Sequence, residues 1–259
     1  MMFKMDNELS LDVNFIGKHL SNRKDVGSIE EEILQHYHNY QGYVAWSGGK
    51  DSTALVCLVS NVIPDIPIVW FDSGLEYPDN REYIHSIARS RSLNLHTIVA
   101  QPDALSILQQ TGFWDHRAIL NNDLPPLHDT LITNPSHIAH KKFGVGELSG
   151  LRAEESVGRR ALLASNKGHY TRKDGSQVYS PLWSWSSGDI LKYLLRNDIP
   201  LNPVYAKLAQ AGAPERAQRV GLVVDGNNPE NGRYTYLRLA YPELWVTLCK
   251  ALPRLQEWR

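Results

Sequence analysis

The chain has 259 residues, of which 42% are hydrophobic and 21% are charged, and its formal net charge is −1. This length accommodates one large α/β domain or two small ones around a substantial core. The near-neutral charge argues against a protein that coats nucleic acid, because such domains are normally strongly basic. Residues 1–149 nevertheless carry 11 basic and 18 acidic side chains, whereas residues 150–259 carry 16 and 10. Such an asymmetry is typical of a chain in which one half meets an anion.

The two cysteines, Cys57 and Cys249, exclude several kinds of site. A cysteine-only iron–sulfur cluster needs about four thiolates, so we expect no Fe–S cluster held by this chain alone. A zinc site built from cysteines alone is excluded on the same ground. The amino-terminal residues lack the apolar run of a signal peptide, and no apolar run is long enough to span a bilayer. We therefore expect a cytoplasmic protein without membrane contact.

Strand and helix patterns alternate along the first part of the chain. Residues 28–40 form an amphipathic pattern that predicts a helix, with Ser28 as its N-cap and Glu31 completing a capping box. The segments that follow are predicted as strands at 42–46, 66–72 and 95–100 and as helices at 51–60, 79–92 and 103–110. This alternation predicts crossover connections and a parallel sheet.

The pattern is less regular over residues 101–144, and the stretch from 113 to 140 is interpreted as a loop over the active site. Asn134 and Pro135 are predicted to cap a short helix that ends at Gly144. The later elements are predicted as a strand at 145–149, helices at 156–165 and 189–196, a hairpin at 170–179 turning at Asp174–Gly175, and a tail helix interrupted or restarted by Pro242.

These elements predict a Rossmann-like α/β fold, a parallel sheet flanked by helices, with a mostly helical C-terminal extension. The predicted division is a helical segment at 1–41, a nucleotide-binding domain at 42–200 and an extension at 201–259.

The strongest chemical signal is the sequence SGGKDS at residues 47–52, between a predicted strand and a predicted helix. The free N–H groups and the dipole at the start of a helix favour a phosphate at this position. Glycines allow the backbone to approach the anion closely, the serines add hydroxyl donors and the lysine adds a charge. The aspartate is explained if it binds Mg²⁺ or orients the loop. The residues predicted to bind the nucleotide here are Ser47, Gly48, Gly49, Lys50, Asp51 and Ser52.

A second candidate group depends on helical geometry. If residues 152–160 are helical, one face of the helix carries Arg152, Ser156, Arg159 and Arg160. An arginine side chain can donate two parallel hydrogen bonds to the oxygens of a phosphate or sulfate. The alternative is a solvated face paired with neighbouring glutamates.

Asp72 follows a predicted strand at its carboxyl end, where ligands bind in open α/β sheets. It is a candidate for Mg²⁺ or a ribose hydroxyl, and the alternative is an aspartate that only forms the turn.

The sequence SGGKDS after a strand resembles the PP-loop of ATP pyrophosphatases, which cleave ATP between its α- and β-phosphates. Three further blocks resemble, in the same order, segments of the phosphoadenosine phosphosulfate (PAPS) reductase and ATP sulfurylase small-subunit group. They are FDSGLEYP at 71–78 (compare DTG…FPE), GLRAEESVGR at 150–159 (compare GLRxxxSxxR) and PLWSWSSGDI at 181–190 (compare PLxxW…D[IV]). The resemblance covers roughly residues 42–205 and implies an adenine nucleotide alpha-hydrolase-like fold.

The resemblance implies adenylyl transfer from ATP to an oxyanion such as sulfate or a nucleic-acid phosphate. The residues given catalytic roles on this basis are Lys50, Asp51, Arg152 and Arg159. Those given nucleotide contacts besides the loop are Asp72, Gly150, Ser156 and Arg160. Mg²⁺ is assigned to Asp51 and Asp72. The implied partners are ATP, an anionic acceptor and a protein such as a cysteine desulfurase or a GTPase-like subunit, with nucleic acid left open.

Departures from the family pattern separate the alternatives. PAPS reductases carry a cysteine in an ECGxH-like segment near the C-terminus, whereas Cys249 lies in an apolar helical pattern and, like Cys57, is interpreted as a core residue. DNA phosphorothioation enzymes often carry clustered cysteines after an RxG segment, but Arg219-Val220-Gly221 is followed by LVVDGNN. A cluster-free enzyme of that type, a nucleotide-binding subunit without chemistry of its own and, less favoured, a reductase stay open.

Histidine and tryptophan side chains give weaker signals. His137 and His140 are spaced for a metal on one helix face, but no further ligand at familiar spacing supports zinc. The tryptophans, including Trp183, Trp185 and Trp245, are predicted to pack in the core rather than to stack on a base.

Overall fold

The computed structural model describes residues 26–111, 128–221 and 233–257. The helices are α1 (Val26–Tyr40), α2 (Lys50–Val62), α3 (Pro78–Ser90), α4 (Ala104–Thr111), α5 (Asn134–Phe143), α6 (Val157–Ser165), α7 (Ser187–Arg196), α8 (Pro203–Gln210), α9 (Arg233–Ala240) and α10 (Pro242–Ala251). The strands are β1 (Gly42–Ala45), β2 (Ile68–Asp72), β3 (Leu95–Val99), β4 (Gly146–Leu148), β5 (His169–Thr171) and β6 (Gln177–Tyr179). Residues 112–127, in the predicted loop over the active site, lie outside the described part.

The strands form one sheet in the order β3-β2-β1-β4-β6-β5. All neighbouring pairs are parallel except β5 and β6, which form the predicted hairpin. Gly175 at its turn has a φ of +86°. The predicted parallel sheet flanked by helices is confirmed.

The main core lies where α2 packs between the sheet and neighbouring helices. Every residue from Ser52 to Val59 in α2 is buried, together with Trp46 and Trp70 from the sheet side. A helix that is apolar around most of its circumference is covered on several sides. This packing fixes the first turn of α2, which carries the SGGKDS loop.

A second core joins the C-terminal helices to the middle of the chain. Leu75, Tyr77 and Leu108 pack in one cluster with Val204 from α8 and Leu248 from α10. The segment that follows residue 200 is therefore anchored against residues 75–108. The boundaries at 41 and 200 stay predictions. No helix among the described residues is long and apolar enough to cross a bilayer.

Two local predictions were wrong, and the condition set for a third was not met. Residues 26 and 27 are already helical, so Ser28 lies inside α1 instead of capping it. Asn134 has helical backbone angles, because the helical turn Asp129–Thr133 runs directly into α5 and leaves no N-cap there. The segment 152–160 is not one helix: a short 3-10 turn at Ala153–Glu155 is followed by Ser156 in an extended conformation.

Candidate nucleotide site

The carboxyl ends of β1 and β4 lie side by side at the sheet's topological switch point. The two strands pair directly, and the chain passes from β3 on one side of β1 to β4 on the other. Ligands of open α/β sheets bind at such points. Strand β1 leads into the SGGKDS loop at 47–52, and β4 leads into the segment GLRAEESVGR at 150–159. These two segments therefore meet at the switch point.

The loop requires glycine at its second position. Gly48 has a φ of +79°, and a β-carbon there would lie 2.0 Å from the side-chain oxygen of Asn80. Gly49 is the N-cap residue of α2 and makes no side-chain cap hydrogen bond. The N–H of Lys50 donates to the Tyr205 hydroxyl at 3.1 Å. Gly49 thus supplies no side-chain cap, but the Tyr205 hydroxyl already occupies the first N–H of α2, so an anion at this helix start would bind the amides that follow it.

Two buried asparagines hold the loop from behind. Asn80 donates to the Ser47 carbonyl at 3.3 Å, and Asn202 donates to the Gly48 carbonyl at 3.1 Å. Asn202 also donates to the Asn80 side-chain oxygen at 2.8 Å, and both side chains are fully buried. Sequence reasoning missed both residues. The local signal for Asn202 was the Asn–Pro start of α8, where its side chain accepts from the Val204 N–H.

Ser52 and Gly150 shape the loop from inside. The Ser52 hydroxyl donates to the Gly49 carbonyl at 3.1 Å and lies 3.0 Å from the Ser47 hydroxyl. A β-carbon on Gly150 would lie 2.9 Å from the Ser52 Cα. Gly150 therefore allows the segment after β4 to pack closely against α2, and the predicted nucleotide contacts of Ser52 and Gly150 stay predictions.

Lys50, Asp51 and Arg152 form a chain of ion pairs beside the loop. Lys50 Nζ lies 3.1 Å from Asp51 Oδ2, and Arg152 Nε lies 2.7 Å from Asp51 Oδ1. Arg152 is only 2% exposed. It also donates to Glu154 at 2.6 Å, to the Trp185 carbonyl at 3.0 Å and to the Ser187 hydroxyl at 3.1 Å. Its guanidinium is therefore occupied by the protein and fixes the Asp51 carboxylate.

The predicted face of three arginines does not form, because Ser156 starts a new helix. The Ser156 hydroxyl accepts from the Arg159 N–H and caps α6, so Arg152 precedes a turn while the later arginines follow it. Arg159 pairs with Glu155 at 2.5 Å, and Arg160 is exposed. The pairing of arginines with neighbouring glutamates matches the alternative interpretation.

Glu154 also belongs to this arrangement. Burial acts to raise the pKa of its carboxyl, but hydrogen bonds from Arg152 and from the Ser187 N–H outweigh burial and lower that pKa. Glu154 thus stays ionised and holds Arg152 in place.

A cavity of about 780 Å³ lies between the loop and the chain after residue 200. The first wall contains Ser47, Gly49, Lys50, Asp51, Arg152, Glu154, Glu155, Ser187 and Leu191. The second wall contains Leu201, Tyr205, Glu215, Gln218, Arg219, Val220 and Gly221. Burial raises the pKa of Tyr205 to about 12, so its hydroxyl is neutral when it accepts from the Lys50 N–H. Most of the lining side chains are charged or polar, which suits a charged ligand better than an apolar one.

Asp51 and Asp72 have different surroundings. Asp51 lines the cavity, whereas Asp72 is 3% exposed, pairs with Arg81 at 2.7 Å and accepts from the Gly74 N–H at 2.9 Å. The described residues contain no group of three or more His, Cys, Asp or Glu side chains placed to hold a metal. Mg²⁺ is commonly held by one or two carboxylates together with substrate phosphates. Asp51 fits that use; the contacts of Asp72 match the turn-forming alternative, and its ligand role stays a prediction.

The remaining candidates lie away from the cavity. Cys57 and Cys249 are free and buried, as predicted for core residues, and burial raises the pKa of Cys57 to about 11. His137 lies 3.2 Å from Asp174, and His140 lies 3.3 Å from the Tyr43 hydroxyl. Trp185 is buried in the main core. The segment after Gly221 that would carry clustered cysteines in phosphorothioation enzymes lies outside the described residues.

Sequence comparisons identify relatives over most of the chain. An adenosine 5'-phosphosulfate reductase of Halalkalibacterium halodurans is 24% identical over 231 residues, which are 89% of this chain and 95% of that protein. A phosphoadenosine 5'-phosphosulfate reductase of Vibrio cholerae is 24% identical over 180 residues, 68% of each chain. An uncharacterized protein of Methanocaldococcus jannaschii is 26% identical over 82% of this chain, and the match spans only 48% of that protein.

The fold is also similar to that of a solved PAPS reductase. The crystal structure of the phosphoadenylyl-sulfate (PAPS) reductase from Candida auris, a phosphate complex, aligns with a TM-score of 0.54 and 16% identity over 83% of this chain and 96% of that one. The family model of the phosphoadenosine phosphosulfate reductase domain matches residues 41–223. The chain therefore belongs to the phosphoadenosine phosphosulfate reductase domain family, within the PP-loop ATP pyrophosphatase superfamily.

Proposed function

We propose that this chain is an ATP pyrophosphatase that transfers the adenylyl group of ATP to an oxyanion and releases pyrophosphate. The observation that carries the proposal is the complete SGGKDS loop at the start of α2, opening into a cavity large enough for a nucleotide. Family membership supports a nucleotide-using enzyme of the sulfur-metabolism type.

In the proposed reaction, an acceptor oxygen forms a bond to the α-phosphorus of ATP. The bond between that phosphorus and the oxygen that bridges the α- and β-phosphates breaks. The electron pair leaves with pyrophosphate, which the Lys50 ammonium and the loop amides stabilise. Mg²⁺, when bound with the nucleotide, would neutralise phosphate charge near Asp51. An acceptor that is already ionised, such as sulfate or a nucleic-acid phosphate, needs no general base.

The buried thiols argue against sulfonucleotide reduction as the main activity. Thiol chemistry requires an accessible thiolate, and burial raises the pKa of both Cys57 and Cys249. The proposed sulfur source, where the product is a sulfur compound, is a partner such as a cysteine desulfurase, and a GTPase-like subunit is a further candidate partner.

A pyrophosphate-release assay tests the proposal. Purified protein with ATP and Mg²⁺ is supplied in turn with sulfate, flavin mononucleotide and DNA, each with and without a cysteine desulfurase. Lys50→Ala is expected to slow release by roughly a hundredfold or more, because it removes a charge that stabilises the leaving group. The exposed Lys173→Ala serves as the matched control and is expected to behave as wild type.

Two outcomes would contradict the proposal. ATP binding without release under every condition would favour the nucleotide-binding subunit instead. Thiol-dependent sulfite release from a sulfonucleotide would favour the reductase, and its persistence in Cys249→Ser would remove the thiol-based reasoning against that activity.

A further inference from the structure

The second wall of the cavity carries a cation that pairs with no other described residue. Three basic side chains line the cavity: Lys50, Arg152 and Arg219. Lys50 pairs with Asp51, and Arg152 pairs with Asp51 and Glu154. Within the described residues, the side chain of Arg219 has no hydrogen bond or ion pair. An incoming anion therefore finds on the second wall a guanidinium that no described residue pairs with.

The backbone that carries Arg219 is fixed against the loop. A β-carbon built on Gly49 would lie 3.5 Å from a methyl group of Val220 and 3.4 Å from the Tyr205 hydroxyl. Val220 is 5% exposed and belongs to the second core with Leu75. Arg219 thus projects from an anchored position beside the glycines, although its own side chain is exposed.

We propose that Arg219 binds the terminal phosphates of the nucleotide from a position beside the loop, so that the site selects pyrophosphate-containing ligands over monophosphates. The inference rests on the proposed function in taking ATP as the nucleotide. The loop amides and Lys50 can reach only those phosphate oxygens that face them. The remaining oxygens need donors from outside the loop, and an arginine fork on the adjoining second wall supplies two in parallel.

Glu215 provides an internal check on this assignment. It lines the same wall, and its carboxylate also has no partner among the described residues. A free carboxylate near a bound polyphosphate opposes binding by like-charge repulsion. Removing the charge of Arg219 should therefore weaken the binding of a polyphosphate, and removing the charge of Glu215 should strengthen it.

The test is calorimetric titration of the full chain with inorganic pyrophosphate, ATP and AMP. Arg219→Ala is expected to weaken pyrophosphate and ATP binding by about tenfold to a hundredfold and to leave AMP binding unchanged. Arg219→Lys is expected to recover part of the loss, because it keeps the charge without the fork. Glu215→Gln is expected to tighten pyrophosphate binding by about two- to threefold. Arg196→Ala, an exposed arginine outside the cavity, is the matched control.

The outcomes separate this inference from the reaction. Unchanged pyrophosphate binding in Arg219→Ala, or an equal loss for AMP, overturns the inference even where the wild type releases pyrophosphate. Selective loss of pyrophosphate and ATP binding supports it even where the wild type releases none, in which case only the proposed reaction fails. A folded wild type that binds neither pyrophosphate nor ATP overturns both.

Discussion

Single residues at this site act mainly by holding other groups in position. Arg152 was predicted as an anion ligand, yet its guanidinium makes contacts with Asp51, Glu154, Ser187 and a main-chain carbonyl. Replacing a buried arginine that has several protein partners lowers stability, because the carboxylates that it pairs with lose their counter-charge. Among the described residues that line the cavity, Arg219 is the basic side chain without a partner. The sequence pointed to it only as part of an RxG segment, because no cluster of cysteines follows that segment.

Gly48→Ala tests the geometry of the loop at one atom. The new β-carbon would displace the Asn80 side chain and impose a positive φ on alanine, so we expect a loss of about 2–4 kcal/mol in the free energy of unfolding. ATP binding should be lost as well. Gly175→Ala is the matched control, because its φ is +86° and a β-carbon there meets nothing within 4 Å.

Urea denaturation and ATP titration measure the two effects. Gly175→Ala should lose only about 1 kcal/mol from its backbone conformation and keep ATP affinity. Equal losses of stability and unchanged ATP binding in both variants would show that the contact with Asn80 does not shape the loop.

At the scale of elements, regular patterns and the breaks marked by glycine or proline were predictable, such as those at Gly144, Gly175 and Pro242, whereas the break at Ser156 was not. The strands and helices around β1 and α2 follow apolar periodicity, which a sequence displays directly. The predicted helix at 156–165 agrees with α6, but the condition of a helix over 152–160 was not met, because Ser156 acts as an N-cap instead of continuing a helix from Arg152. The sequence could not show that Asn80, Asn202 and Tyr205 reach the loop, since the latter two lie more than 150 residues from it.

Helix α8 gives a test at this scale, because its N-cap residue also supports the loop. Asn202→Ala removes the cap and the buried hydrogen bonds to Gly48 and Asn80, and we expect a loss of about 2–4 kcal/mol in stability. Nucleotide binding should weaken together with stability. Ser186→Ala removes the cap of α7, where the side chain accepts from the Asp189 N–H, and should cost about 1 kcal/mol while ATP binding persists.

Chemical denaturation and ATP titration of both cap variants decide the matter. Loss of ATP binding in Ser186→Ala to the same degree would mean that the loop responds to general destabilisation. Retention of binding in Asn202→Ala would mean that Asn80 alone suffices to hold it.

At the scale of the whole molecule, the uneven charge along the chain is not the charge that a ligand meets. The cavity combines the loop from the acidic half with Arg152 and Arg219 from the basic half, and it also contains four carboxylates. Because Asp51, Glu154 and Glu155 are each paired with a basic side chain, local pairing rather than net charge sets the potential at the site.

Burial of histidine gives the folded molecule a defined response to acid. Both ring nitrogens of His36 in α1 are buried without a hydrogen-bond partner in the described structure. Burial, followed by the nearby His169, lowers the pKa of His36 from 6.5 to about 4. The unfolded chain therefore takes up a proton at pH values where the folded chain does not. Stability should fall by about 3 kcal/mol as the pH is lowered from 6.5 to 4 through this residue alone.

His36→Phe tests this contribution, because a phenyl ring keeps the packing against Tyr40 and Tyr179 and cannot be protonated. The variant should lose less stability than the wild type between pH 6.5 and 4, as measured by urea denaturation at several pH values. A residual slope is expected, since burial also lowers the pKa of His96, His140 and His169. The exposed His38→Gln should follow the wild-type curve. A His36→Phe curve parallel to that of the wild type would place the acid sensitivity in the other histidines, away from the packing of α1 on the sheet.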